Sequence, residues 1–407
     1  MGKMAYLKDL PVAVIGAGAV GKTCAADCKL AGQKVHLYES EEFAEVSLRN
    51  VERTGIEIDG IQRNCYNFKR SGVAKMDLVT TDMAEAMQGA GLIVVGAPAF
   101  GHEFLFRKMI PCLEDGQVIN IFTDNFGTLL FRKLMREMNC TKNVIVGGWS
   151  SAPYGTRIES AGGFIFPKCG IKYRAITLRG AALPMTDSDD FMEASSYLGC
   201  LDAVTQGDGP VKGGTVLDIG FSNVNPVIHV PATLLGVSTM ENWGKIFGDF
   251  DKSGYSMYAH ALCPSICEVQ YKFYQEEIDL AKAIGVGVEE YDKEIFFHRR
   301  SVLSLEYMGK SNFRLPLDEP TTEANTGPNS IHHRYVTEDV PVGCKIYHEL
   351  GKQYGVKTPV IDSMIVLAGA MLQKDYFSEG YTLEYLGIND MSKEDLLVYL
   401  NHGILNS

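Results

Sequence analysis

Three side chains in the C-terminal half of the chain have the chemistry that an enzyme acting on a carboxylic acid requires. His229 exchanges a proton near neutral pH. Asp339 is a carboxylate that could orient this imidazole and stabilise its charged form. Arg334 offers a planar guanidinium that binds a carboxylate through two parallel hydrogen bonds. Together these residue types predict acid–base chemistry on an acid substrate.

Each of these residues also has a purely structural interpretation, which the sequence leaves open. Asp339 could cap a helix that begins near Val340, and Arg334 could pair with a surface acid. Asn225 and His229, which share the segment Ser222 to His229, could simply cap or fill the start of a helix. Spacing along one chain does not show that these groups meet, so their convergence is a hypothesis.

A glycine-rich turn near the N-terminus predicts a dinucleotide site. Its first glycine allows a tight turn, its second lets the backbone approach a pyrophosphate, and its third lets a helix pack against a strand. The N-terminus of the following helix attracts the phosphates. The turn consists of Gly16, Ala17, Gly18, Ala19, Val20 and Gly21.

Glu39 and the pair Ala97–Pro98 are expected to complete this site. Glu39 follows the next strand at roughly the 20-residue spacing of the dinucleotide fingerprint. A carboxylate there accepts hydrogen bonds from the ribose hydroxyls of NAD and repels the 2′-phosphate of NADP, so NAD is the expected cofactor and NADP the less favoured one. Ala97 and Pro98 follow another apolar strand, where they either line the cofactor or form an ordinary turn.

Short apolar segments alternate with helical patterns through the first two hundred residues. This alternation predicts an α/β domain with a doubly wound parallel sheet of the Rossmann type. The predicted strands are 11–15, 35–38, 91–95, 117–121, 143–146 and 174–178. The predicted helices are 22–31, 82–90, 104–113, 128–138 and 187–198.

The pattern becomes helical after about residue 205. Gly207 to Gly214 is rich in glycine and is predicted to be a linker or loop. Helices are predicted beyond it at 265–284, 342–354 and 360–374. We therefore expect a cofactor-binding domain over residues 1–205 and a mostly α-helical, all-α substrate domain over residues 206–407.

Composition excludes several classes of function. The formal net charge of the 407 residues is -12, and an acidic surface disfavours binding to nucleic acid. The sequence contains no apolar run of about 18 residues, so it predicts no membrane-spanning helix. Two close cysteine pairs, Cys24/Cys28 and Cys263/Cys267, have helical spacing without the partner ligands of a zinc site, so no metal is expected. Scattered cysteines of this kind indicate reduced thiols in a cytosolic protein.

Several segments resemble the octopine/nopaline, or opine, dehydrogenase family. The N-x-x-x-H of Asn225 to His229 and the R-Y-x-T-E-D of Arg334 to Asp339 resemble its two C-terminal signatures. Residues 91–100 and 151–157 are also similar, and the resemblance runs from about residue 11 to about residue 390. It implies a Rossmann domain followed by an all-α domain, and NAD(P)H-dependent reductive condensation of an amino acid with a 2-oxo acid.

The resemblance also implies roles for individual residues. His229 is implied as the acid/base, Asp339 as its partner, Arg334 as a ligand of a substrate carboxylate, and Asn225 as a positioning residue. One segment departs from the family, since Thr123-Asp124-Asn125-Phe126-Gly127 stands where a glycine-rich Asn-Pro-Gly type of loop is expected. This departure leaves the substrate, and with it the reaction, open. The oligomeric state is open as well, with a homodimer as one expectation.

Two other classes of protein remain as alternatives. A dehydrogenase of a 2-hydroxy acid, of the ketopantoate or glycerol-phosphate type, also joins a Rossmann domain to a helical one. Such enzymes usually place a lysine in the active site, and neither signature here contains one. A dinucleotide-binding protein without catalytic activity is the second alternative, and the combination of His229, Asp339 and Arg334 argues against it.

Overall fold

The computed structural model describes the chain in two compact units. The described residues are 2–60, 70–175, 177–202, 209–288, 290–296 and 326–405. The first unit comprises Met1–Gly220 together with Val398–Ser407, and the second comprises Phe221–Leu397. The expected boundary at 205/206 therefore precedes the division between the units, and the C-terminal residues belong with the first unit.

The first unit contains the strands, and their bounds are as follows. The strands are β1 Val12–Ile15, β2 Val35–Tyr38, β3 Ile56–Gly60, β4 Gly72–Ala74, β5 Leu78–Thr80, β6 Leu92–Val95, β7 Val118–Ile121, β8 Ile145–Trp149, β9 Tyr154–Ala161, β10 Phe164–Arg174, β11 Thr177–Ala182 and β12 Gly209–Lys212. Its helices are α1 Ala19–Leu30, α2 Glu41–Ser47, α3 Val51–Thr54, α4 Met83–Met87, α5 His102–Met109, α6 Gly127–Glu137 and α7 Ser188–Ser195.

The larger sheet has the strand order of a dinucleotide-binding domain. Among the described residues the order is β12-β11-β8-β7-β6-β1-β2-β5. The six strands from β8 to β5 are parallel, whereas β11 runs antiparallel to β8. If these six strands are numbered 1 to 6 in chain order, the sheet reads 3-2-1-4-5-6 from β5 to β8. The strand order reverses between β1 and β6. The predicted parallel sheet is thus confirmed, and the carboxyl ends of β1 and β6 form the edge at which sheets of this order generally bind ligands.

A second sheet was not predicted from the sequence. Its order within the described chain is β4-β3-β10-β9, with β9 and β10 antiparallel and β3 parallel to β10. Pairing between residues near 58 and residues near 169 depends on contacts far apart in sequence, which no local pattern shows. The predicted strand 174–178 is also wrong in its bounds, because Arg174 ends β10 and Thr177 begins β11.

The predicted linker at Gly207 to Gly214 is corrected by the structure. Gly209–Lys212 forms β12, which pairs in parallel with β11, while residues 207 and 208 lie outside the described residues. A strand needs only its backbone groups for the hydrogen bonds of the ladder, so a neighbouring strand overrides the local preference of glycine for loops.

The second unit is helical in its described residues. Its longest described helix, α11 (Pro264–Ile284), has proline in its first turn. It ends at Gly285, which caps the helix in the left-handed conformation with a φ of +87°. The predicted helices 265–284, 342–354 and 360–374 are confirmed, with bounds that shift by a few residues. The other helices are α8 Val216–Phe221 at the boundary between the units, α9 Asn225–Leu235, α10 Val237–Phe247, α12 Lys293–Phe296, α13 Arg334–Thr337, α14 Lys345–Tyr354, α15 Pro359–Leu372, α16 Tyr376–Glu379, α17 Leu383–Leu386 and α18 Lys393–His402.

Candidate active site

The glycine-rich turn forms a cradle between β1 and α1. Gly16 has a φ of +96°, which side chains rarely tolerate, and a Cβ at Gly21 would lie 1.8 Å from the carbonyl oxygen of Gly16. Both glycines are therefore required by the fold itself. A Cβ at Gly18, in contrast, would meet nothing within 4 Å. Packing within the fold therefore does not require a glycine at position 18. The space beside it suits a phosphate at the N-terminus of α1, where no side chain caps the helix.

Glu39 lies at the end of β2, directly against this turn. Its Oε2 accepts a hydrogen bond from the backbone N–H of Ala17 at 2.9 Å, and its Oε1 accepts one from the N–H of Ser40 at 2.9 Å. The carboxylate is half-buried, so it remains open on one side. These contacts place a fixed negative charge beside the turn, where the ribose of a dinucleotide binds in this class of fold.

Lys22, which lies on α1 directly after the turn, is a residue that sequence reasoning missed. Its side chain is fully buried, and its Nζ donates a hydrogen bond to the carbonyl oxygen of Ala17 at 2.6 Å. Burial lowers the pKa of Lys22 to about 8, although the charge of Glu39 favours the ammonium form. Ala17 is thus held through both backbone groups, its N–H by Glu39 and its carbonyl by Lys22. The position of Lys22 directly after Gly21 was the available signal.

Ala97 and Pro98 stand where the sequence places them, at the carboxyl end of β6. The space above Gly16 is bounded by Ala97, since a Cβ on Gly16 would lie 3.5 Å from the Cβ of Ala97. The carbonyl of Ala97 is fixed by the ring of His102, whose Nε2 lies 3.2 Å away. The loop therefore adjoins the glycine turn at the point where the strand order reverses.

His229 and Asp339 meet in the second unit, although 110 positions separate them. The Nδ1 of His229 lies 2.8 Å from Oδ2 of Asp339, and both side chains are buried. Asp339 makes no side-chain cap for the π-helical turn Val340–Cys344 that follows it. The capping interpretation is thus excluded, because the carboxylate is directed at the imidazole instead.

Two tyrosines that sequence reasoning did not assign lie against His229. The ring of Tyr335 stacks on the imidazole with centroids 3.5 Å apart and planes 11° from parallel. The hydroxyl oxygen of Tyr258 lies 3.1 Å from Nε2. Tyr335 belongs to the R-Y-x-T-E-D signature and could have been noticed there, whereas nothing in the sequence points to Tyr258.

Arg334 and Asn225 lie close to this pair along the chain. Arg334 begins α13, is exposed, and acts on Asp339 through its positive charge. Asn225 begins α9 and is half-buried, one helical turn before His229 on the same face of that helix. The helix start is formed by Pro226 and by Asn223, whose Oδ1 accepts a hydrogen bond from the N–H of Asn225 at 3.1 Å.

Burial sets the proton content of the His229–Asp339 pair. It raises the pKa of Asp339 to about 8, and the charge of Arg334 opposes this rise. A buried pair is most stable without net charge, which means that it keeps one proton shared between carboxyl and imidazole. Burial therefore favours the protonated form of the Asp339 carboxyl beside His229.

The loop that departs from the family, 123–127, follows β7 and is built around Asp124. Oδ1 of Asp124 accepts hydrogen bonds from the N–H and the hydroxyl of Thr128, at 2.9 and 2.5 Å. Oδ2 of Asp124 is buried without a hydrogen-bond partner among the described residues. Burial raises the pKa of Asp124 to about 6. Asn125 and Phe126 both have positive φ, at 44° and 63°. Asp124 thus supports a turn conformation that glycine usually provides.

Two features are not found in the part of the chain that the structure describes. No group of three or more His, Cys, Asp or Glu side chains is arranged to hold a metal ion there. No helix there is long and apolar enough to cross a membrane.

Two family models match separate parts of the chain. A family model described as the α-helical domain of NAD/NADP octopine/nopaline dehydrogenase matches residues 212–372, the region that contains His229 and Asp339. Over these residues the chain is similar to the octopine/nopaline dehydrogenase family. A second model, the N-terminus of NAD-dependent glycerol-3-phosphate dehydrogenase, matches residues 11–138 and covers the glycine turn. The protein is an NAD(P)-dependent oxidoreductase.

Individual relatives match almost the whole chain. An opine dehydrogenase of Arthrobacter sp. (strain 1C) is 27% identical over 93% of this chain and 96% of its own length. The structure of an octopine dehydrogenase with NADH and pyruvate superposes with a TM-score of 0.68, at 18% identity over 98% of this chain and 99% of that one. A yersinopine dehydrogenase with NADP+ bound gives 0.64, at 13% identity over 97% and 98%. At these identities the structures establish a shared fold.

Proposed function

We propose that this protein belongs to the octopine/nopaline dehydrogenase family and catalyses the NADH-dependent reductive condensation of an amino acid with a 2-oxo acid. The observation that carries the proposal is the buried contact of 2.8 Å between His229 and Asp339, within the region that matches the family's helical domain. The neutral amine attacks the oxo carbon and gives a carbinolamine, which takes up a proton and loses water to form an iminium ion. When bound, the nicotinamide would supply a hydride to the iminium carbon, and a secondary amine with two carboxylates results.

His229 and Asp339 supply the proton that this sequence requires. The departing hydroxyl of the carbinolamine needs a proton to leave as water, and the shared proton of the pair is available at neutral pH. In the reverse direction the same pair accepts the proton. Asp339 keeps Nδ1 of His229 occupied, so proton exchange takes place at Nε2.

Arg334 and Asn225 are proposed to bind the substrate. Arg334 is exposed at the start of α13, next in sequence to the tyrosine that stacks on His229, and its fork suits a substrate carboxylate. Asn225 offers an amide that donates and accepts hydrogen bonds one turn from His229. Their proposed role is to place the reacting carbon beside the imidazole.

The cofactor is proposed to bind along the glycine turn, with Glu39 selecting NADH over NADPH. The unfilled space at Gly18 and the uncapped N-terminus of α1 suit the pyrophosphate. Glu39 is anchored by Ala17 and Ser40, so its charge cannot move away from a 2′-phosphate. The loop of Ala97 and Pro98 would line the cofactor beside Gly16.

The experiment that tests the function is a screen of NADH oxidation. Amino acids are combined with pyruvate, 2-oxoglutarate or glyoxylate, and each oxo acid is also assayed alone. Turnover that requires both partners, with a secondary amine as the product in mass spectrometry, supports the proposal. Equal turnover of an oxo acid without an amine would instead indicate a 2-hydroxy acid dehydrogenase. NADH binding without turnover of any pair would indicate a binding protein.

Localisation and assembly are separate proposals. We propose that the enzyme acts in the cytoplasm, because the cysteines of the described residues are free thiols. A homodimer is proposed only as the commonest symmetric assembly, and light scattering of the purified protein tests it. A monomeric mass would refute the dimer without affecting the proposed reaction.

A further inference from the structure

The second ring nitrogen of His229 faces a hydroxyl group. Nδ1 is held by Asp339, and Nε2 lies 3.1 Å from the hydroxyl oxygen of Tyr258. An imidazole nitrogen makes one hydrogen bond in the ring plane, either as donor or as acceptor. Since His229 is 7% exposed and Tyr258 is 8% exposed, a proton that leaves or reaches Nε2 meets the tyrosine hydroxyl before bulk water.

A hydroxyl at this place suits both charge states of the imidazole. It has one hydrogen to donate and lone pairs to accept, so it donates to neutral Nε2 and accepts from the N–H of the imidazolium. A side chain that only donates or only accepts would favour one charge state. The contact of Tyr258 with Nε2 is therefore compatible with proton transfer in both directions.

The backbone that carries Tyr258 is well anchored. Tyr258 lies on the π-helical turn Met257–Ala261, which packs against α9, the helix of His229. The N–H of Met257 donates to the carbonyl of Gly327 at 2.9 Å, and the hydroxyl of Thr233 on α9 donates to Sδ of Met257 at 3.2 Å. These two hydrogen bonds hold the backbone and the side chain of Met257, so the fold positions the neighbouring Tyr258 hydroxyl.

We propose that Tyr258 is a catalytic residue that relays protons between His229 and the substrate, an inference that rests on the proposed function. The carbinolamine oxygen takes the proton of the Tyr258 hydroxyl and leaves as water with the electrons of the C–O bond. The nitrogen lone pair forms the C=N bond of the iminium ion. The tyrosine oxygen takes the proton from Nε2 of the imidazolium, so Tyr258 is regenerated, His229 becomes neutral and the positive charge passes to the iminium.

The test removes the hydroxyl with Tyr258→Phe and uses Tyr255→Phe as the matched control. Tyr255 lies three residues earlier and is 1% exposed, and its ring packs against that of Trp243 with centroids 5.4 Å apart. Tyr258→Phe should lower kcat by about 10²-fold, the lower end of the range for general acid–base catalysis, while the KM for NADH stays within about twofold. Tyr255→Phe should retain wild-type kcat. A kcat for Tyr258→Phe equal to or above wild type would overturn the relay, because the hydroxyl would then only cover Nε2.

Two further measurements separate a relay from a structural role. In mixtures of H2O and D2O, kcat of the wild type should follow a bowl-shaped curve, because two protons move together, and kcat of Tyr258→Phe should follow a straight line. A straight line for both proteins contradicts the relay. NMR of ¹⁵N-labelled histidine should show a changed Nε2 shift for His229 in Tyr258→Phe alone. An unchanged shift refutes the contact itself, whether or not a substrate pair has been found, whereas absence of any turnover in the wild type refutes the proposed function.

Discussion

The contact between His229 and Asp339 leads to a quantitative prediction about catalysis. If the two residues act as one unit, His229→Ala should lower kcat by about 10²–10⁴-fold, the usual contribution of a general acid/base. Asp339→Asn should lower kcat by a comparable or smaller factor, because an amide that donates to Nδ1 favours the wrong tautomer for exchange at Nε2. NADH binding should be retained in both variants, since the residues proposed to bind the cofactor lie in the first unit.

The magnitude of the coupling follows from burial. The side chains of the pair are 8% and 9% exposed, so the remaining partner cannot be solvated once the other is removed. Breaking a buried ion pair or hydrogen-bonded charge typically costs about 3–5 kcal/mol. The double variant should consequently be little slower than the slower single variant, so the coupling free energy on kcat should nearly equal the effect of the milder single variant.

The second unit provides a matched control for this cycle. Nδ1 of His348 also lies 2.8 Å from a carboxylate oxygen, that of Asp362, but these side chains are 17% and 38% exposed. Asp362→Asn removes the same kind of contact from a more exposed setting outside the site, and kcat should stay within about twofold. Stopped-flow or steady-state assays of the four proteins of the cycle give the coupling. If the effects of His229→Ala and Asp339→Asn simply multiplied, the two residues would not form a catalytic pair.

Three further predictions concern the cofactor and pH. Glu39→Ala should weaken NADH binding and reduce the ratio of kcat/KM for NADH over NADPH, and a wild type that is faster with NADPH would refute the role of Glu39. Gly18→Ala should raise the KM for NADH at an unchanged Tm, because the added Cβ meets nothing within 4 Å in the fold. Gly21→Ala should instead lower Tm, because the added Cβ would lie 1.8 Å from a carbonyl oxygen. The folded-state pKa of Asp339 is raised from 3.8 to about 8, so its contribution to stability is present below pH 4 and is lost as pH rises toward 8. Calorimetry should therefore show a smaller decline of Tm between pH 4 and pH 8 in Asp339→Asn than in the wild type, and identical slopes would contradict this assignment.

Features encoded by local spacing were predictable from the sequence. The glycine turn, the apolar strands around it and the acid at the end of β2 lie within about thirty residues, and their pattern follows from the geometry of a strand, a turn and a helix. The parallel sheet and the helical second unit were predicted for the same reason. The individual roles of Glu39, Ala97 and Pro98 remain predictions, although the structure places them around the turn.

The tertiary structure alone determined the contacts between residues that are distant in the sequence. Periodicity did not reveal the second sheet or the strand Gly209–Lys212, because both depend on pairing with strands formed elsewhere in the chain. The sequence placed His229 and Asp339 in two signatures but left their meeting open, and the 2.8 Å contact exists only because α9 and the segment after Arg334 pack together. Tyr258 had no signal in the sequence at all, because its only distinction is the imidazole beside it. Local preferences determine which elements form, whereas the burial of their apolar faces determines which polar side chains are brought into contact and which protons they hold.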